Sequence, residues 1–262
     1  MTLILIYLAT GLLSGFLAGL FGIGGGLIIV PLLLLSYGLQ GLPASISTHL
    51  AVGTSLACIV FTALSSVRAH MAKVQMDWPV ILQLSAGMVI GALLGGDIAA
   101  GLSATLLQRL IGLFALTMAL QIWCDWRPQG KHPHVSRLER PLVGTVIGVS
   151  SALFGIGGGT LIVPYLRWRH VPMVQAIAVS AACGIPVTIS ATLSYIYSGW
   201  HEPSLPDHAF GFVYWPALLG IVLTSTLTAR LGARLAHRLP SLWLRRSFAV
   251  LQLLIAIKFL FL

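Results

Sequence analysis

Apolar residues run along this chain in unbroken windows of roughly twenty, the length needed to cross a bilayer as a helix. The windows fall near 3–22, 45–66, 79–100, 104–123, 174–198, 216–236 and 247–262. Two more, 27–39 and 141–166, are shorter or interrupted by glycine. Polar residues gather between the windows and do not alternate within them, which excludes a transmembrane β-barrel. The pattern predicts an all-α polytopic membrane protein. The first window has no Lys or Arg before it, and the glycine-rich segment after it recurs later, so it is expected to stay as a span and not to be cleaved as a signal peptide.

Composition strengthens this reading. Hydrophobic residues make up 57% and charged residues 8% of the 262 positions, with mean hydropathy +0.95. A soluble domain carries about a quarter charged residues, so too few exist here to cover a water-facing surface. All seven tryptophans, Trp78, Trp123, Trp126, Trp168, Trp200, Trp215 and Trp243, lie at or near window edges. Indole prefers the headgroup level, where the ring is apolar and the N–H stays hydrated.

The net charge of +9 changes the picture only through its placement. Basic residues sit at the ends of apolar stretches, as in Arg167/Arg169 and Arg245/Arg246. They are not collected on a polar face as nucleic-acid binding requires. No nucleic-acid partner is expected. Cys58, Cys124 and Cys183 are odd in number and have no metal-ligand spacing. They read as small apolar packers, and no metal or cofactor is expected.

The chain is internally duplicated. Residues 19–34 read GLFGIGGGLIIVPLLL and residues 152–167 read ALFGIGGGTLIVPYLR, 133 positions later (Phe154 against Phe21). Leu50-Ala51-Val52-Gly53 then faces Ile177-Ala178-Val179-Ser180. Two homologous repeats are expected, 1–123 and 141–262, of about four helices each with glycine-broken first helices. The polar segment 124–140 joins them.

Charge orients the halves. Lys and Arg occupy the loops near 67–78, 124–140, 167–173 and 230–246, whereas 199–215 carries Glu202 and Asp207 but no base, and 40–44 is uncharged. The positive-inside rule makes the first four loops cytoplasmic. Loops 124–140 and 167–173 flank the glycine-interrupted segment 141–166. Both can be inside only if that segment enters and leaves on one face as a re-entrant pair of half-helices. By the repeat, 3–39 does the same from outside, and the halves are inverted about the membrane plane with both termini periplasmic. Asp97 and Arg230, again 133 apart, then lie at opposite faces. The alternative is that 141–166 simply crosses and the charge rule fails at one loop.

Glycine carries the candidate chemistry. Gly22, Gly24, Gly25 and Gly26, and again Gly155, Gly157, Gly158 and Gly159, stand in the middle of apolar sequence. Each costs a helix about 0.8–1 kcal/mol relative to alanine. Unwound backbone in hydrocarbon is tolerated only where protein or a cavity shelters it. Helix resuming at Leu27 or Thr160 would present free N–H groups and a positive dipole end to an anion. Broken helices meeting near the midplane form the substrate site of many transporters. Gly87, Gly91 and Gly95 read differently, as a close-packing stripe. No GxxxxGK[ST] occurs, so the motif is not a nucleotide loop.

The duplicated FGIGGG-x4-VP, with Leu50-Ala51-Val52-Gly53-Thr54-Ser55 on the next helix, resembles the sulfite exporter TauE/SafE family, also called the 4-toluenesulfonate uptake permease family, over essentially the whole chain. The resemblance implies a secondary transporter of small anions, typically sulfite, sulfonates or other sulfur-containing oxyanions and organic acids, in a bacterial inner membrane. The second half departs from the pattern, with Ser180-Ala181-Ala182 in place of Gly53-Thr54-Ser55. An asymmetric site follows from that.

Hydroxyls of Thr54, Ser55, Thr160 and Ser180 are candidate donors to a bound anion, although such side chains also satisfy carbonyls of their own helix. His49 at the start of the second span reads as an interfacial side chain or a proton-coupling group. Pro31, Pro164 and Pro186 are expected to kink helices or free a carbonyl. The expected partners are a small anion, the lipid bilayer and a coupling ion, H⁺ or Na⁺, that the sequence does not identify. A channel of the same architecture is the alternative function. An intramembrane enzyme is disfavoured, because Asp97 has no second carboxylate in a span and no HExxH occurs.

Overall fold

The structure is a computed structural model that describes residues 2–21, 25–71, 76–124, 139–236 and 241–261. The linker residues 125–138, Gly22 and Gly24 lie outside the described residues. The first half contains α1 (Thr2–Phe21), α2 (Gly26–Leu39), α3 (Ala44–Met71), α4 (Trp78–Gly101) and α5 (Ala104–Trp123). The second contains α6 (Glu139–Phe154), α7 (Gly159–Trp168), α8 (Met173–Ser198), α9 (Trp215–Ala236) and α10 (Ser241–Phe261). A two-stranded ribbon, β1 (Ala209–Phe210) against β2 (Val213–Tyr214), precedes α9. Helices α3, α4, α5 and α8 contain stretches long and apolar enough to span a membrane.

The glycine-interrupted segments fold back on themselves. Tyr7 near the start of α1 donates its hydroxyl to Gln40 Oε1, just past α2, at 2.8 Å. Glu139, the first residue of α6, is ion-paired with Arg169, just past α7, and accepts from the Tyr165 hydroxyl at 3.5 Å. Each helix pair therefore returns to the end of the bundle from which it starts. Residues 139–169, which hold the segment 141–166, thus form a hairpin whose two ends lie together.

The two hairpins start from opposite ends. At the first end, the Tyr7 and Tyr37 rings stand edge-on to Tyr214, with centroids 5.7 and 6.1 Å away. At the second end, Arg140 donates to Gln83 Oε1 at 2.9 Å near the start of α4. Helices α3 and α8, which hold corresponding sequence, cross in opposite directions: Gly53 lies against Tyr195, and Gly184 against Ala63. The loop 167–173 belongs to the second end, and the base-free loops 40–44 and 199–215 to the first.

Small residues set the tightest packing. Gly87, Gly91 and Gly95 of α4 lie against Pro141, Thr145 and Val149 of α6, while Gly144 and Gly148 of α6 face Leu84 and Met88. This is the close approach expected of the α4 stripe. Gly11 and Gly15 of α1 repeat the arrangement on Ile221 and Ser225 of α9. In both pairs residue numbers rise together, so the paired helices run parallel. Each joins one half of the chain to the other.

Candidate solute site at the glycine breaks

Helix α2 starts from Gly25 (φ 83°, ψ −28°) and α7 from Gly158 (φ 72°, ψ −24°). These are corresponding positions of the repeat in the same left-handed conformation. L side chains reach it only at a cost of roughly 1–2 kcal/mol, which explains the glycine at both. Neither helix start is capped by a side chain, so the first N–H groups of each face the break with no intrahelical acceptor. Helix α6 ends at left-handed Gly155 (φ 67°), and Ile156 N–H donates to the Ser151 carbonyl at 3.1 Å, the six-to-one bond of a Schellman cap. Pro31 and Pro164 each stand sixth in their helix. They release the carbonyls of Leu27 and Thr160 from the usual i→i−4 bond.

The two breaks meet. A Cβ placed on Gly26 would fall 2.5 Å from the Gly155 carbonyl oxygen and 2.9 Å from Ile156 Cα. The Ser55 hydroxyl of α3 donates to that same Gly155 oxygen at 3.0 Å. From α8, Gly184 lies against the Gly157 carbonyl, and Ser180 Oγ is 3.2 Å from the Cβ position of Gly159. One flank is apolar: Leu27, Ile156 and Phe248 are buried together with Phe114 and Phe154 against them, the last two rings stacked at 4.3 Å.

Of the expected site residues, Gly25, Gly26, Ser55, Gly155, Gly157, Gly158, Gly159 and Ser180 are thus brought together. Thr160 follows in the first turn of α7 and is partly buried. Thr54 is turned elsewhere. Its Oγ1 accepts from the Tyr214 backbone N–H at 3.0 Å and from the Tyr37 hydroxyl at 3.5 Å, so it pins the β ribbon to α3.

His49, the candidate interfacial or proton-coupling side chain, is packed among protein groups. It is buried, its Nε2 is 2.9 Å from the Ala99 carbonyl oxygen, and its ring lies 5.2 Å from Phe212. It borders a first-end cleft of about 490 Å³ whose lining includes Ser45, Ser103, Thr105 and Glu202. Cys58 and Cys183 are buried free thiols and Cys124 an exposed one.

Among the described residues, the buried polar groups without a partner include two, Ser151 and Gln252, that the sequence does not single out. Ser151 closes the last turn of α6, and Gln252 sits in mid-α10; both are fully buried, and neither side chain has a hydrogen-bond partner. The available signals were weak. Ser151 stands where the first repeat has Ala18, and Gln252 is the one amide in the window 247–262.

A helical bundle in which four helices are long and apolar enough to span a bilayer is a multi-pass membrane protein. Residues 7–259 match the profile of the sulfite exporter TauE/SafE family, and the chain belongs to that family. It is 38% identical to a Haemophilus influenzae protein named "Probable membrane transporter protein", over 98% of each chain. A Methanocaldococcus jannaschii protein of similar name is 26% identical over 90% of this chain and 87% of its own. A third, from Bacillus subtilis, is 25% identical over 98% and 97%. The chain is a membrane transporter of the TauE/SafE type.

Proposed function

We propose that this transporter carries a small anion, such as sulfite, a sulfonate or a related sulfur-containing or organic anion, across a bacterial inner membrane by alternating access. The observation that carries the reading is the meeting of the two breaks: Gly26, at the uncapped start of α2, stands against Gly155 and Ile156, three residues before the equally uncapped start of α7. A positive helix end within the paired breaks attracts an anion through backbone N–H groups, without any charged side chain.

In this reading residues 1–123 and 141–262 are inverted repeats. The opposite entry of the two hairpins and the antiparallel course of α3 and α8 support the inversion. One bundle rocks against the other about the glycine-lined α1–α9 and α4–α6 contacts. The basic loops set the second end in the cytoplasm, which makes both termini periplasmic.

A screen of sulfite, thiosulfate, sulfonates and small carboxylates tests the substrate class, first by thermal shift on purified protein and then by flux in proteoliposomes. Saturable flux with counterflow is expected, and single-channel currents would refute a carrier. Gly158→Val is expected to abolish flux while leaving insertion intact. Reporter fusions at 124–140 and at the C-terminus test the topology; a cytoplasmic C-terminus would contradict the inversion.

A further inference from the structure

Serine and threonine hydroxyls on these helices mostly bond to a carbonyl one turn back, as Thr145 does to Pro141, Ser150 to Val146, Thr188 to Gly184 and Ser190 to Pro186. Ser151, the neighbour of Ser150, does not. It is 0% exposed, and its hydroxyl has no partner, although a buried unsatisfied hydroxyl is rare and calls for a ligand or a water. Its Oγ stands 3.6 Å from the Cβ position of Gly158, the left-handed cap of α7. In the first repeat the corresponding residue is Ala18, whose Cβ stands 3.4 Å from the same position on Gly25. The two breaks therefore share a geometry and differ in chemistry, with a hydroxyl beside one helix start and a methyl beside the other.

Ser180 adds a second hydroxyl near the start of α7, 3.2 Å from the Cβ position of Gly159. Ser55, by contrast, already donates to Gly155. Resting on the reading that the breaks form the solute site, we propose that a single oxyanion is held at the start of α7 alone. Its donors are the Gly159 and Thr160 N–H groups together with the hydroxyls of Ser151 and Ser180. The first break supplies close backbone packing in place of ligands. Donors converging along the helix axis and from its flank suit a head group with several oxygens, and so favour an oxyanion over a spherical halide.

The test is calorimetric titration of the full chain in lipid nanodiscs with sodium sulfite, sodium methanesulfonate, sodium acetate and sodium chloride. The wild type is expected to bind at least one of the three oxyanions more tightly than chloride. Ser151→Ala is expected to weaken that binding roughly ten- to a hundred-fold, the range of a hydrogen bond to a charged group. It should do so without lowering the unliganded melting temperature, since the hydroxyl has no protein partner to lose. Ser225, also buried and unpartnered, lies where α9 packs on Gly15 of α1, and Ser225→Ala should keep the wild-type affinity.

Wild-type affinity in Ser151→Ala would overturn the one-sided site, while the broader reading would stand if Gly158→Val still abolished flux. A fall in the unliganded melting temperature of Ser151→Ala would make the hydroxyl structural and also overturn the proposal. If the wild type binds none of the oxyanions, the anion reading fails and this assignment falls with it.

Discussion

Gly26 is the position where the meeting of the breaks is most exposed to test. A Cβ there would stand 2.5 Å from the Gly155 oxygen, 2.8 Å from Ile59 Cδ1 and 2.9 Å from Ile156 Cα. The end of Ile59 can swing aside. The other two atoms are backbone of a segment held by the Ser55 bond to Gly155 and the Ile156 bond to Ser151. Comfortable contact between carbons is about 3.5–4.0 Å, so Gly26→Ala must open the junction by roughly 0.5–1 Å.

Overpacking of this kind costs typically about 1–3 kcal/mol. The lower chain entropy of alanine in a helix returns about 0.5–1 kcal/mol, leaving a net loss on the order of 1–2 kcal/mol. For a chain of this size that is a fall of several degrees in melting temperature, at roughly 2–4 °C per kcal/mol. Tryptophan-fluorescence melting of purified protein reads the loss, and proteoliposome flux, once a solute is in hand, should fall with it. Gly38→Ala is the control, since nothing lies within 4 Å of its Cβ position. If Gly26→Ala melts with Gly38→Ala and transports like wild type, the two breaks do not meet as described.

Other outcomes follow from the same contacts. Ser55→Ala leaves the buried Gly155 oxygen without its side-chain donor and should cost about 1–3 kcal/mol in chemical denaturation; no measurable loss would count against that bond. Gln252→Leu removes two unpartnered amide atoms from a fully buried site and should raise the melting temperature, whereas a fall would mean that the amide has a partner. Gly91→Leu, set against the Thr145 backbone, should separate α4 from α6, seen as loss of the monodisperse peak in detergent chromatography. Glu139→Gln, which unties the Arg169 pair, should cost about 1 kcal/mol or less, because both side chains keep some solvent exposure. A larger loss would assign the pair a greater part in holding the second hairpin.

By itself the sequence determined the class, the four apolar spans in α3, α4, α5 and α8, and the location of the unusual backbone. Twenty-residue apolar windows admit few structures in a bilayer. Repeated triple glycine in mid-span admits still fewer, and residues 25–26 and 155–159 duly begin or end helices. Charge placement led to the expectation that 141–166 is re-entrant, and the Glu139–Arg169 pair draws the two ends of that hairpin together.

Only the tertiary structure decided which side chains reach the breaks. Thr54 and Ser55 are adjacent, yet the turn of α3 directs one to Tyr214 and the other to Gly155. Sequence spacing gives the angle between them but not which neighbour stands at each angle. Ser151 looked like one more helical serine until packing set it beside Gly158. In the sequence 199–215 is simply a loop between apolar windows, yet Phe212, Val213 and Tyr214 are buried, because the two-residue ribbon turns them onto His49, Tyr195 and the Thr54 hydroxyl. Local pattern fixes periodicity and length. Partners across the bundle are fixed by how helices from distant parts of the chain come to lie against one another, and one sequence read along its length does not contain that arrangement.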